Sequence, residues 1–263
     1  MSARRKALGT SMITHLEPNW FKGNGSSGTL GLYPPLFPKF SQAYSGLTMT
    51  ATLSPSPDMS PESLTLNRTQ LRREMRQRRR ALSVAEQKKA SARLKTQVLA
   101  LPEFLQAKRV AIYLPNDGEI DPTQLIDQAR KMGKVCYLPV LQPLVENRLW
   151  FVRFDHKTPM THNRFGIPEP KLKGFADKKR NRCRPEDLDL VLFPLVAFDE
   201  HGGRMGMGGG FYDRTFAFTR HRRFAKPTMI GLAHECQKVK DLPIADWDIP
   251  LQAIASDQGV YRA

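Results

Sequence analysis

The chain has 263 residues, 40% of them hydrophobic, with a formal charge of +16 and a pI near 10.0. That length allows one large domain or two small ones with a true core; no stretch approaches the roughly 18 consecutive apolar residues of a membrane span, and the chain start has no apolar run ending in a small-residue cleavage site. The positive charge implies an anionic partner, and nucleic acid, nucleoside triphosphate and polycarboxylate all qualify.

Residues 1–61 read as a disordered or non-native extension: Gly23, Gly25, Ser26, Ser27 and Gly28 form a flexible patch, Pro34 to Pro61 punctuate the rest, and no helical or strand period persists. Either Met49 or Met59 is the true start, or the segment is an organelle transit peptide. Residues 62–263 then read as one α/β domain. Leu71 and Met75 lie one turn apart among arginines, and Ser83 followed by Glu86 makes a capping box for a second helix that carries Ala90, Leu94, Val98 and Leu101 on one face. Pro102 closes that helix, so two helices are expected before the first strand.

Val110 to Leu114 is a buried strand, Asp121-Pro122 starts a helix that Gly133 ends, and Val135 to Val140 completes a β-α-β unit. A further strand is expected over Leu149 to Phe154, and His156 to Arg184 reads as basic loop. Leu188 to Phe193 is an almost continuous apolar run, as in a strand covered on both faces. A glycine-rich loop, a helix near Tyr212 to Phe218 and a strand over Met229 to Ala233 follow. This alternation predicts an open, mostly parallel sheet flanked by helices. The three cysteines, Cys136, Cys183 and Cys236, form no C-x-x-C pair and signal neither a disulfide framework nor a zinc site, which fits a reducing cytoplasm.

The strongest chemical signal is Phe198 to Asp213, F-D-E-H-G-G-R-M-G-M-G-G-G-F-Y-D. Glycines at 202, 203, 206, 208, 209 and 210 let a ligand approach the backbone, and successive inward N–H groups ahead of a helix N-terminus suit a phosphate chain. No Lys-Ser or Lys-Thr follows, so this is not a P-loop, and the spacing is not G-x-G-x-x-G. Arg204 can neutralise charge during transfer, and Asp213 can hold Mg2+ against phosphate oxygens or simply favour a helix start. The basic run from Arg72 to Arg80 has no interleaved aromatics, so a solvated helix face is expected in place of a nucleic-acid surface. The loop alone also leaves a generic small-molecule kinase open.

The loop Arg204-Met205-Gly206-Met207-Gly208-Gly209-Gly210-Phe211-Tyr212-Asp213 resembles the R-x-G-x-G-x-G-Y-Y-D signature of the 5-formyltetrahydrofolate cyclo-ligase family. The resemblance extends to the basic first helix, to Leu114 and Glu119, to Gly166-Ile167-Pro168-Glu169-Pro170, and to Ile230-Gly231-Leu232-Ala233. It implies a single α/β domain and an enzyme that uses ATP as co-substrate with Mg2+ to close 5-formyltetrahydrofolate to 5,10-methenyltetrahydrofolate. Residue by residue, it implies ATP contacts at Arg68, Arg72 and Arg204 through Tyr212, catalytic roles for Arg204 and Tyr212, and Mg2+ at Asp213. Folate contacts are implied at Leu114, Glu119 and Met207 to Phe211. Met207 stands where some relatives carry a basic residue, and Gln252 stands where a second magnesium aspartate is expected, with Asp248 as the nearby substitute. The expected partners are the folate, with its glutamate carboxylates and a polyglutamate tail where present, and ATP; nucleic acid and membrane are not expected, and a monomer is.

Overall fold

The computed structural model describes residues 61–172, 181–221 and 226–262, so the expectation for residues 1–61 lies, Pro61 apart, outside the described residues. Three helices open this part: α1 (Pro61–Arg80), α2 (Val84–Leu99) and α3 (Pro102–Gln106). The Ser83–Glu86 capping box is present as read. Pro102, expected to close α2, instead sits at the start of α3, where its missing N–H costs nothing; among the described residues three helices thus precede the first strand, not two.

Among the described residues the main sheet has eight strands. Its centre is β1 (Arg109–Ala111), β2 (Val135–Leu141), β7 (Leu190–Pro194), β10 (Thr228–Ala233) and β11 (Ala253–Ser256), ordered β11-β10-β7-β1-β2 and parallel throughout. Helix α4 (Thr123–Lys131) crosses from β1 to β2, and Gly133 at φ 75° lets the chain turn back. Antiparallel strands finish both edges: β12 (Val260–Arg262) beside β11, and β3 (Leu149–Arg153) then β6 (Arg182–Cys183) beside β2. The stretch from His156 to Arg184 is not loop alone. It contains the hairpin β4 (Met160–His162) with β5 (Pro168–Pro170), as well as β6.

Side chains alternate across the central strands, so β7 packs two layers at once. Leu190 and Leu192 join Leu94, Phe104 and Leu125 under α2 to α4, while Val191 and Phe193 join Met229, Phe216 and Leu251 on the opposite face. A further cluster seats Met75 of α1 on Val196, Ala197, Met205 and Leu242. The chain leaves β1 toward β2 but leaves β7 in the other direction, toward β10. The carboxyl ends of β1 and β7 therefore form a topological switch point, the place where open α/β sheets leave a crevice.

Candidate active site

A cavity of about 830 Å³ opens at that switch point, lined by Leu114 beyond β1 and by Pro194 and Leu195 at the end of β7. Its volume lies in the ordinary range for small-molecule sites. One wall is the glycine loop, the second is α1 with the turn after β1, and the β4–β5 hairpin contributes Asn163, Phe165 and Glu169. Phe165 meets the Phe211 ring edge-on at 5.9 Å between centroids.

The glycine loop divides in two. Gly202 and Gly203 belong to the hairpin between β8 (Ala197–Phe198) and β9 (Arg204–Met205), where Asp199 accepts Gly203 N–H at 2.8 Å. A Cβ on Gly203 would fall 2.5 Å from an Asp199 carboxylate oxygen, so these two glycines serve the turn. Gly206 to Gly210 face the cavity. Among the described residues no group accepts the backbone N–H of Gly206, Met207, Gly208, Gly209 or Gly210, although Arg72 Nε donates to Gly206 O at 3.0 Å and Arg214 to Gly209 O at 2.8 Å. Gly208 and Gly210 take φ of 96° and 65°, a backbone that side chains resist. Gly210 precedes α5 (Phe211–Thr215), a single short turn followed by the 3-10 turn Ala217–His221 in place of the longer helix expected.

Arg204 is nearly buried and lies over the Phe193 ring. Its Nε donates to Ile249 O at 3.1 Å, and its Nη2 pairs with Asp213. Asp213 also accepts Ile249 N–H at 3.2 Å. Both of these bonds fall on Oδ1, which leaves the Oδ2 lone pairs for a cation. No group of three or more metal-ligating side chains exists among the described residues, but Mg2+ bound against substrate phosphates needs only one or two carboxylates, so Asp213 fits that use. Asp248 accepts Arg68 at 2.8 and 3.2 Å and Ala245 N–H at 2.9 Å, so it is engaged in the wall. Gln252 accepts Met229 N–H at 2.6 Å and tethers β10 to the chain entering β11.

Leu114, Glu119, Arg68, Arg72, Arg204 and Gly206 to Asp213 all line this one cavity. Met205 does not: it is buried with Met75, Val196, Ala197 and Leu242. Burial raises the Glu119 carboxyl from the ordinary 4.5 to about 7, with Arg79 and the Asn116 N–H pulling the other way. Burial and the nearby Glu119 push the Tyr212 phenol far above 10, so it remains protonated and can donate. Burial and the neighbouring Arg68 lower the pKa of Arg72.

Sequence reasoning missed the end of α1. Arg68, Arg72, Arg76 and Arg79 recur at spacings of four, four and three, and this face is turned inward; Arg73, Arg78 and Arg80 are exposed. Arg79 is fully buried and Arg76 lines the cavity. Arg76, Arg79 and Arg80 converge on Asp117, where burial would raise the carboxyl but their hydrogen bonds outweigh it and hold it at about 2. The i, i+4 spacing of the arginines, set beside an acidic turn in Asp117-Gly118-Glu119, was the available signal.

The family model described as the 5-formyltetrahydrofolate cyclo-ligase family matches residues 65–257. The chain is 41% identical over 188 residues to the 5-formyltetrahydrofolate cyclo-ligase of Escherichia coli K12, covering 72% of this chain and 99% of that one. It is 42% identical over 187 residues to the Haemophilus influenzae protein of the same name, covering 71% and 96%. The solved structure of Aquifex aeolicus 5,10-methenyltetrahydrofolate synthetase superposes with a TM-score of 0.62 at 32% identity, covering 74% of this chain and 92% of that one. No helix among the described residues is long and apolar enough to cross a membrane. With a family match over residues 65–257, which takes in the five parallel strands and both walls of the crevice, the chain belongs to the 5-formyltetrahydrofolate cyclo-ligase family.

Proposed function

We propose that this protein converts 5-formyltetrahydrofolate to 5,10-methenyltetrahydrofolate, with ATP and Mg2+, releasing ADP and phosphate. One observation carries the ATP part of the reading: the amides of Gly206 to Gly210, unpaired among the described residues, share a wall of the cavity with Arg204 and Asp213, and Arg72 reaches that wall from α1. Such a nest suits a polyphosphate. In this reading Leu114, Glu119 and the loop centre from Met207 to Phe211, which line the same cavity, would contact the folate. The three free cysteines suit a cytoplasmic setting.

The N5-formyl group is an amide, so its carbon resists attack by N10 and its oxygen is a poor leaving group. In the proposed sequence the formyl oxygen attacks the γ-phosphorus, the bond from that phosphorus to the β–γ bridging oxygen breaks, and ADP departs. N10 then attacks the activated carbon and loses its proton, and the C–O bond breaks with its electron pair leaving on phosphate as the ring closes. Phosphoryl transfer asks a protein chiefly for alignment and charge neutralisation. The amides and Arg72 hold the phosphates, Arg204 faces the charge that spreads during transfer, and the protonated Tyr212 donates a hydrogen bond. Asp213 would hold Mg2+, which when bound screens the phosphate oxygens.

The test mixes purified protein with 5-formyltetrahydrofolate, Mg2+ and ATP and follows the near-ultraviolet absorbance of the methenyl product. An ATP-dependent rise is expected. No rise, or a stable phosphorylated compound in place of a cyclised one, overturns the reading.

A further inference from the structure

The basic end of α1 does more than add charge. Arg79, fully buried, donates through Nε to Asp117 O at 2.9 Å, through Nη2 to Asp117 Oδ2 at 2.9 Å and through Nη1 to Leu195 O at 3.2 Å, and its Nη2 lies 4.0 Å from the Met207 sulfur. One planar guanidinium thus touches the turn after β1, the end of β7 and the glycine loop. Arg79 Nη2 is also 3.8 Å from Glu119 Oε1, while Glu119 Oε2 accepts Asn116 N–H at 3.1 Å. Asp117 adopts φ 53°, a strained backbone for a residue with a side chain, and the clamp of Arg76, Arg79 and Arg80 holds it there.

We propose that Arg79 is a positioning residue of this site: it fixes the Asp117–Glu119 turn against β7 and the glycine loop and so aims the Glu119 carboxyl at the folate. The proposal deepens the folate reading above and rests on it for its catalytic meaning. The spread of contacts explains why arginine stands here, because lysine carries one charged centre and lacks the flat fork that serves three carbonyl or carboxylate partners at once. Among the described residues four ionisable groups face Glu119: Arg79 from α1, Asp117 on its own turn, Tyr113 beyond β1 and Tyr212 on α5. Arg79 is the one cation among them.

The test reads Glu119 directly. Carboxyl-13C glutamate labelling, with Glu119→Gln to assign the signal, gives its titration midpoint in the full chain without substrate. Arg79→Met is expected to raise that midpoint by at least about one pH unit, since the facing cation is lost. Asp117→Asn, which keeps Arg79 and removes a neighbouring anion, is expected to lower it. Arg79→Lys restores the charge and most of the midpoint, yet leaves KM for the folate raised at least about tenfold with kcat less affected, because the turn is no longer held by a fork. Wild-type midpoints in both Arg79→Met and Asp117→Asn overturn the proposal, as does a wild-type folate KM in Arg79→Lys. If Arg79→Met does not fold, the Asp117→Asn midpoint and the Arg79→Lys KM decide. A wild-type protein without turnover overturns the function proposed above and leaves the titration result standing.

Discussion

The two walls of the cavity are built by opposite means. The glycine loop offers its backbone: amides from Gly206 to Gly210 are free among the described residues, and the side chains that matter, Arg204 and Asp213, are tied to each other and to Ile249. The α1 wall offers side chains: Arg68, Arg72, Arg76 and Arg79 reach from a helix to acids and carbonyls some 40 to 180 positions away in sequence. A backbone nest depends on which residues are adjacent in the chain, whereas a side-chain wall depends on what the fold sets opposite. The first tolerates few substitutions because a Cβ is itself the obstacle, and the second can be taken apart one charge at a time.

The largest effect is expected where the loop meets charge. Asp213→Asn and Arg204→Lys should each lower kcat about 10²–10³-fold, the usual cost of one lost electrostatic contact to a transition state. Arg204 and Asp213 are 3% and 17% exposed, so either change also disturbs a buried ion pair, and rates must be compared well below each variant's melting temperature. Wild-type kcat in both variants would leave only the backbone of this loop in the mechanism.

On the other wall the same kind of change should act on stability first. Arg68 and Asp248 are 7% and 9% exposed and doubly hydrogen-bonded, and removing one member strands the other. Arg68→Ala is expected to cost about 3–4 kcal/mol in chemical denaturation. A loss under about 1 kcal/mol would mean that water replaces the guanidinium, and that this wall is open in a way its burial denies.

Glu119 separates stability from function. Its folded pKa is raised, so the linked stability is fully present below 4.5 and is lost as pH climbs through about 7. Glu119→Gln should therefore stabilise the protein by on the order of 3 kcal/mol at pH 8, leave it unchanged near pH 4, and raise KM for the folate. Equal melting temperatures for the variant and the parent at pH 8 would show that Arg79 already compensates the buried charge.

Local signals carried the loop and most of the sheet into the sequence. The apolar run of β7, the Ser83 cap and the stop at Gly133 are each written within a few residues, and so was the spacing of Gly206, Gly208, Gly209 and Gly210. Strands of two or three residues have no period to read. The hairpin β4–β5, strand β6 and the antiparallel β12 exist because distant segments pair with them. Pro102 carries two meanings, a stop for α2 and a start for α3, and only the packing of Phe104 into the core selects the second. The arginine run failed for a related reason. Periodicity shows that Arg68, Arg72, Arg76 and Arg79 share a face, but a charged face reads as solvated until Asp117, Asp248 and the Leu195 carbonyl are known to stand across from it.

That division within α1 is itself testable by the smallest of the expected effects. Arg78 points outward at 49% exposure and pairs with Glu74 one turn earlier, and Arg73 is exposed as well. Exposed i, i+4 pairs contribute about 0.3–0.5 kcal/mol, so Arg78→Ala should cost no more than that and leave kcat and KM unchanged at moderate salt. Raising the salt should erase even this difference, since the Debye length falls to about 3 Å at 1 M. A clear loss of activity in Arg78→Ala, or in Arg73→Ala, would mean that the outer face of the helix also meets an anion in turnover. The contrast between the two sides of α1 would then fail, and the whole basic run, not its inner stripe, would belong to the site.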